Sequence, residues 1–460
     1  MEVAAADSRF PASLEPLANL KVEAISAARL LPLGELLLAL LDLLLHRNRA
    51  PASTNMPLVA RRAAAALSAG PQRWAAATAA NAAAANACSR LLSGGPSAED
   101  ISALQSQFAA DPSAAQTTFG SVSRLTDGVA TRADMDGHTL EVDEPLELGG
   151  SDSGPNPVQL VAAALGTCQE ITYKAYGNAM GIQIKSVSAK VEADLDLRGF
   201  FGVSSVGEEA RPGFSAVRAK VRVESDADAA SLALLREAVD AHCPVLDMLR
   251  NPVKVGLSVN AINTGGAPDV QELMGWDKGG PPADAIKGIQ QIFGADAGKA
   301  LMRVTSFSHL REGLKTAAMM DYSWVNPMSA ALPPHQQHTI MVDEPISLGG
   351  TDTGPNPVQI IAAALGSCQE ITYKAYGNAM GIPLRSVSAD VTGQIDLRGF
   401  FAVGEEARPG FHTILAKVEL DVAGGMGEDG VAELMQAVDA HCPVLDMLRN
   451  PTDVTTSLEH

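Results

Sequence analysis

The chain has 460 residues, too many for one ordinary hydrophobic core, and length alone predicts about three domains. Hydrophobic content of 46% is that of a globular protein, while an aromatic share of 4% leaves Ala, Leu and Val to fill the cores. A formal net charge of −19 opposes binding to nucleic acid or to an anionic membrane surface, so a small-molecule partner is expected. Five cysteines make no disulfide scaffold and show no Cys-x2-Cys zinc spacing. They point to a reducing compartment, either the cytoplasm or an organelle interior, and to no metal.

Ala18 to Leu104 is rich in Ala and Leu and is broken at Pro32, Pro51, Pro57, Pro71 and Gly94-Gly95-Pro96. That pattern predicts an all-helical N-terminal domain, 1–115, of four or five helices. Its most apolar run, Leu30 to Leu45, is interrupted by Glu35 and Asp42 and reads as a buried helix, not a signal peptide or a membrane span. Ser97-Ala98-Glu99-Asp100 reads as a helix start. The stretch around Cys88, AAANACSRLLSGGPSAEDISAL, distantly resembles the AhpD-like helical proteins. Where those carry a second cysteine and a histidine this chain has Leu91 and Gly94-Gly95, so Cys88 reads as a packing residue.

The stretch from Asp143 to Gly181 recurs almost letter for letter from Asp343 to Gly381, and VDAHCPVLDMLRNP at Val239 to Pro252 recurs at Val438 to Pro451. A spacing of 200 residues is too long for a solenoid and marks a duplicated domain. A weaker echo links Ser102–Leu125 with Lys287–Leu310, so the duplicated unit includes a helical part ahead of each domain. Asn263 to Pro268 is a linker by composition. The expected boundaries are 116–263 and 316–457 for the two domains, 264–315 for a helical linker, and 458–460 for the start of a cloning tag.

Within each repeat the pattern reads strand, strand, helix, strands, helix, strand. Val187–Leu197 and Ala216–Val223 alternate as half-buried strands, and Gly199-Phe200-Phe201 and Gly399-Phe400-Phe401 extend the first of these. Long antiparallel strands packed on helices make an α+β domain.

Cys168 lies on an apolar helix that starts at Pro157, and alone it would read as a core residue. Cys243 precedes Pro244, which places it at a helix N-terminus, where free N–H groups stabilise a thiolate. The pair recurs as Cys368 and Cys442, 75 residues apart in the first copy and 74 in the second. Two such thiols read as an attacking and a resolving residue.

Gly-Pro-Asn-Pro, then an Ala-rich helix reaching Leu-Gly-Thr/Ser-Cys, then His-Cys-Pro-Val-Leu, together resemble the OsmC/Ohr family of thiol-dependent hydroperoxide reductases. The resemblance implies that the two domains form an intertwined pseudo-dimer inside one chain. It also implies that Cys168 and Cys368 attack a hydroperoxide, that Cys243 and Cys442 close a disulfide, and that an external dithiol, with no bound cofactor, reopens it. The family supplies an Arg from an upstream loop and a Glu after Asn-Pro. Here Gln159 and Gln359 stand in the Glu position and 142–157 holds no Arg; Arg132, further upstream, has no counterpart in the second repeat.

Arg198 and Arg398 either replace that Arg or pair with Asp196 and Asp396. Arg211 and Arg408 are further substitutes. His242 and His441 read as either acid/base groups or satisfied core histidines. Gln159, Gln359, Thr172, Thr372, Tyr173 and Tyr373 are candidate substrate-binding residues, Tyr173 and Tyr176 having ordinary core packing as the alternative. Glu170 and Glu370 are expected in i,i+4 pairs with Lys174 and Lys374. The Gly149-Gly150 and Gly154-Pro155 segment reads as a tight turn. The expected function is a peroxidase for organic hydroperoxides. The alternatives are a cysteine nucleophile acting on a thioester or activated carbon, and a non-catalytic module that binds a small molecule.

Overall fold

A computed structural model describes residues 95–203, 210–262, 280–328, 335–423 and 428–460, all within one compact unit, Arg90–His460. The expected N-terminal helical domain up to residue 94, with Cys88, lies outside the described residues, as does the linker at Asn263 to Pro268. No described helix is long and apolar enough to cross a membrane.

The first repeat runs α1 (Ala98–Ala110), β1 (Gln116–Asp127), β2 (Ala130–Met135), β3 (His138–Val142), α2 (Pro157–Ala179), β4 (Ile184–Asp196), a single helical turn α3 (Arg198–Phe201), β5 (Phe214–Ser225), α4 (Ala229–His242), α5 (Pro244–Arg250) and β6 (Lys254–Ile262). The second repeats that order as α6 (Ala283–Ala295), β7 (Leu301–Glu312), β8 (Lys315–Trp324), β9 (His338–Val342), α7 (Pro357–Met380), β10 (Leu384–Asp396), α8 (Leu397–Phe400), β11 (Phe411–Val422), α9 (Glu428–His441), α10 (Pro443–Arg449) and β12 (Asp453–Glu459).

Helices α2 and α7 are apolar around nearly their whole circumference, and a helix of that kind has to be enclosed. They pack on each other between two six-stranded sheets, α2 against β4, β7 and β8 and α7 against β1, β2 and β10. Gly166 makes the close approach of α2 to its sheet possible, since a Cβ there would meet Ser308 Oγ at 2.8 Å; Gly366 stands likewise against Ser123.

The sheets are exchanged between the repeats. One has the order β3-β2-β1-β10-β11-β6 and the other β12-β5-β4-β7-β8-β9, so each contains four strands of one repeat and two of the other. Strand β1 runs antiparallel to β10 from Gln116 opposite Asp396 to Arg124 opposite Ser388, and β7 pairs with β4 in the same way. Strands β6 and β12 lie parallel to β11 and β5 of the opposite repeat. This is the expected intramolecular, intertwined pseudo-dimer. Arg211 and Arg408 lock it: Arg211 Nε donates to Asp446 at 2.8 Å and its Nη1 to the Pro451 carbonyl at 2.7 Å, while Arg408 does the same to Asp247 and Pro252.

Several expectations are corrected. Three strands, not two, precede each long helix, because β1 and β7 belong to the sheets. The span 264–315 therefore holds helix α6 and then β7, and the second sheet contribution starts at Leu301, not at 316. Gly199-Phe200-Phe201 and Gly399-Phe400 form helical turns instead of extending a strand. The Asp196 and Asp396 carboxylates accept the N–H of Arg198 and Arg398 at 3.0 Å, which closes the turn. Leu458 and Glu459 pair with Val221 and Arg222 at the end of β12. Ser97 caps α1 in a reciprocal box with Asp100, as the sequence indicates.

Glu170 has the right spacing for Lys174 but no ion pair joins them. Its carboxyl is fully buried and accepts hydrogen bonds from the Ala189 N–H at 2.9 Å and from the Thr316 hydroxyl on a strand of the other repeat. Glu370 accepts from Ser123 Oγ at 2.7 Å. The α2 and α7 faces that carry these residues are turned to the sheets, so no solvent-side ion pair can form there.

Candidate active site

Each cysteine pair is assembled by the same local rule. Pro244 starts α5, which ends α4 at His242 and leaves Cys243 as the N-cap between two helices. Cys168 projects from the middle of α2 toward that corner, and the two sulfurs lie 3.2 Å apart. Cys442 and Cys368 repeat the contact at 3.2 Å. All four are free and buried.

Burial and the adjoining Cys243 sulfur push the Cys168 thiol well above its ordinary range, against a hydrogen bond from the Val245 N–H. Burial works on Cys243 in the same direction. There it is outweighed by the hydrogen bond from Cys168, by the Leu246 N–H and by the side chains of Gln169 and Thr172, so Cys243 falls below the ordinary thiol range. Of the two thiols, Cys243 is therefore the more readily ionised. The buried Gln169 amide, with no oxygen or nitrogen partner, lies against the Cys243 sulfur and favours its anion. The same directions hold for Cys368 and Cys442.

Cys168 opens onto a cavity of about 580 Å³, its mouth included, and a second cavity of the same size stands over Cys368. The first is walled by Ile171, Thr172 and Ala175 of α2 together with Leu348, Ile395, Leu397, Phe400 and Phe401 of the second repeat. Pro96, which leads into α1, closes one side and is held by Asn178 Nδ2 at 2.8 Å; Pro281 and Asn378 do this for the other cavity. Phe119 and Met302, from the segments echoed ahead of each domain, also line the Cys168 and Cys368 cavities respectively. Among the described residues, no Lys, Arg or His lines either cavity.

Beside a threonine and an asparagine, each wall holds a glutamate that sequence reasoning missed. Glu344 lines the Cys168 cavity and Glu144 the Cys368 cavity, each supplied by the opposite repeat. Burial, and after it the charge of the preceding aspartate, raises both carboxyls to about 8. A side-chain hydrogen bond from Asn156 pulls Glu144 the other way.

The loop that presents Glu144 is built around Asp143. The Glu144 N–H donates to Asp143 Oδ1 at 2.8 Å, and the N–H and hydroxyl of Ser151 and Ser153 all donate to Oδ2. Thr351 and Thr353 reproduce the arrangement on Asp343. Gly150 lets the loop fold onto itself, since a Cβ there would sit 1.8 Å from the Glu144 carbonyl oxygen. Asp152 ties the loop to the other repeat by accepting the Gln336 N–H at 2.7 Å and contacting His338 Nε2 at 3.1 Å. The signal is in the sequence: Asp-Glu-Pro directly follows a strand in both copies.

Of the other sequence candidates, only Thr172 and Thr372 line the cavities. Their hydroxyls also donate to the carbonyls of Cys168 and Cys368, at 2.7 and 2.6 Å. Gln159 and Gln359 are corrected from substrate contacts to helix caps, each closing a reciprocal box with Asn156 or Asn356. Tyr173 and Tyr373 fill two satellite cores behind the long helices, so core packing decides their place.

Arg198 and Arg398 hold Asp196 and Asp396, each Nη2 donating at 2.6 Å, and neither lines a cavity. His242 Nδ1 contacts the Gly399 carbonyl at 2.7 Å and its ring stacks on Tyr176, whose hydroxyl donates to the Phe400 carbonyl. His441 does the same with Gly199 and Tyr376. These histidines anchor the helical turn that carries the cavity phenylalanines of the opposite repeat. Arg132 pairs with Glu141 on an exposed strand.

Comparison with known proteins places this geometry. No curated protein matches the chain. A crystal structure of an OsmC like protein from Mycoplasma pneumoniae is similar at 15% identity over 28% of this chain and 84% of that one, with a TM-score of 0.24. The family model described as OsmC-like protein matches residues 150–258 and again 350–457. The resemblance of the N-terminal segment to AhpD-like proteins finds no support in these comparisons. The chain carries two domains of the OsmC-like family in tandem, folded together as one intertwined unit.

Proposed function

We propose that the chain is a thiol-dependent peroxidase with two composite sites, each reducing an organic hydroperoxide through a sulfenic acid and then a disulfide. The observation that carries this reading is the reduced cysteine pair, sulfur against sulfur at 3.2 Å, with one member exposed to an enclosed apolar cavity and the other behind it. A cavity lined by Leu, Ile, Pro and Phe without a basic side chain suits a neutral, apolar hydroperoxide better than an anionic one.

In the first step Cys243, as its thiolate, takes the proton of Cys168. The Cys168 thiolate then attacks the terminal peroxide oxygen; an S–O bond forms, the O–O bond breaks, and its electron pair leaves on the alkoxide. Sulfur is oxidised and the peroxide reduced. Cys243 next attacks the sulfenic sulfur, the hydroxyl leaves as water with the Cys243 proton, and a Cys168–Cys243 disulfide remains. An external dithiol reduces that disulfide, which fits a reducing compartment. Cys368 and Cys442 follow the same course.

The test uses the full chain with Cys368 and Cys442 replaced by Ser, cumene hydroperoxide as oxidant and dithiothreitol as reductant. Cys168→Ser abolishes consumption, because a hydroxyl stays protonated near neutral pH. Cys243→Ser allows one turnover and leaves one added oxygen on Cys168, read by mass. Among the described residues no cation lines the cavity to stabilise the Cys168 anion, which favours attack on a thioester or activated carbon as the second reading. Inertness toward peroxide with rapid alkylation of Cys168 moves the assignment there. Inertness in both assays leaves a binding module.

A further inference from the structure

The peroxide step leaves an alkoxide in a cavity whose described residues include no cation to receive it. Alcohols are poor leaving groups unless a proton arrives as the O–O bond breaks, and a positioned acid typically contributes about 10²–10⁴-fold to such a step. Among the described residues, the only ionisable side chain lining the Cys168 cavity apart from the thiol is Glu344; Glu144 is its counterpart over Cys368. Resting on the peroxidase reading, we propose that Glu344 is the acid that protonates the alcohol leaving from Cys168, and that Glu144 serves Cys368. Each site therefore takes its nucleophile from one repeat and its acid from the other.

Two independent features support this role. One is the support given to the glutamate: a buried aspartate, five hydrogen bonds from the loop to it, and a glycine where no side chain fits hold the Glu144 backbone in place. The second repeat keeps that hub although both serines have become threonines. The other feature is protonation state. An enclosed, apolar wall keeps the carboxyl in its acid form at neutral pH, where an ordinary glutamate would be ionised and unable to donate.

The bookkeeping of the step closes. The thiolate sulfur gains the terminal oxygen with its hydrogen, the proximal oxygen leaves with the O–O electron pair, and Glu344 gives it a proton to release a neutral alcohol. The carboxylate that remains regains a proton from solvent before the next turnover.

The leaving group provides the test. A peracid loses a carboxylate, which needs no proton, whereas an alkyl hydroperoxide loses an alkoxide, which does. The full chain lacking Cys368 and Cys442 is reduced, freed of reductant, and mixed at pH 6.5 with cumene hydroperoxide or with peracetic acid while loss of the Cys168 thiol is timed. Glu344→Gln keeps the size of the side chain and removes the acid. The expected result is a slowing of about 100-fold or more with cumene hydroperoxide and of less than about tenfold with peracetic acid. Glu344→Asp restores part of the loss with the alkyl substrate. The peracid rate also reports whether the variant's thiol site is intact. Equal slowing with both oxidants, or slowing with neither, overturns the assignment while leaving the peroxidase reading in place. A wild type that reacts with neither oxidant refutes the peroxidase reading, and this assignment with it.

Discussion

Replacing Glu170 by Gln should change how stability depends on pH more than it changes stability at any one pH. Glu170 is fully buried on α2, and burial raises its carboxyl to about 8, against hydrogen bonds from Thr316 and the Ala189 N–H. Below about pH 4.5 the folded and unfolded chains both hold the proton, and the contribution of the neutral carboxyl to stability is complete. As pH rises the unfolded chain ionises first, so the contribution falls until the folded group also ionises near 8, and it levels off above that. At about 1.4 kcal/mol per pH unit, the loss between pH 5 and pH 8 is roughly 4 kcal/mol. Gln fits the same space, takes the Ala189 N–H on its carbonyl and donates to Thr316, but has no proton to lose. Urea unfolding at pH 5 and pH 8 should therefore show wild-type stability falling relative to Glu170→Gln by roughly 4 kcal/mol. Glu370, buried in the same way and also raised well above its ordinary value, should behave alike in the second repeat. Curves for wild type and variant that run parallel from pH 5 to pH 8 would refute the argument.

An isolated 116–263 fragment leaves β1 without its β10 partner and one face of α2 uncovered, so it should dimerise with a second copy; a well-folded monomer by light scattering would contradict the exchange of strands. Gly150→Ala places a methyl 1.8 Å from the Glu144 carbonyl oxygen, so it should displace the loop and slow oxidation of Cys368 much more than that of Cys168, which single-site mass labelling would show. Asp446→Asn weakens the acceptor for Arg211 and for the Gly213 N–H, with an expected loss of about 1.5–3 kcal/mol in urea unfolding; a change under 0.5 kcal/mol would mean that the clamp is not stabilising.

What the chain's letters determined by themselves is what depends on neighbours in sequence. The duplication is literal, the cap at Ser97 is a four-residue pattern, and Pro244 forces a helix start that leaves Cys243 at its N-terminus whatever surrounds it. The Ala- and Leu-rich faces of α2 and α7 required burial, and two thiols at matching spacings in both copies announced a pair. What only the tertiary structure decided is which groups meet across the exchange. Two repeats with the same strand pattern offer each strand two similar partners, so sequence pattern cannot say that β1 joins β10 and β7 joins β4. The same ambiguity hid Glu344, which stands 176 positions from Cys168 in the chain and shares a cavity with it only because the repeats interlock. Arg198, His242 and Tyr173 carry chemistry suited to a site, yet a nearby carboxylate, a backbone carbonyl from the other repeat and a second core claim them first. Residue type states what a side chain is able to do, and the partners it meets on folding determine which of those capacities is left for a ligand.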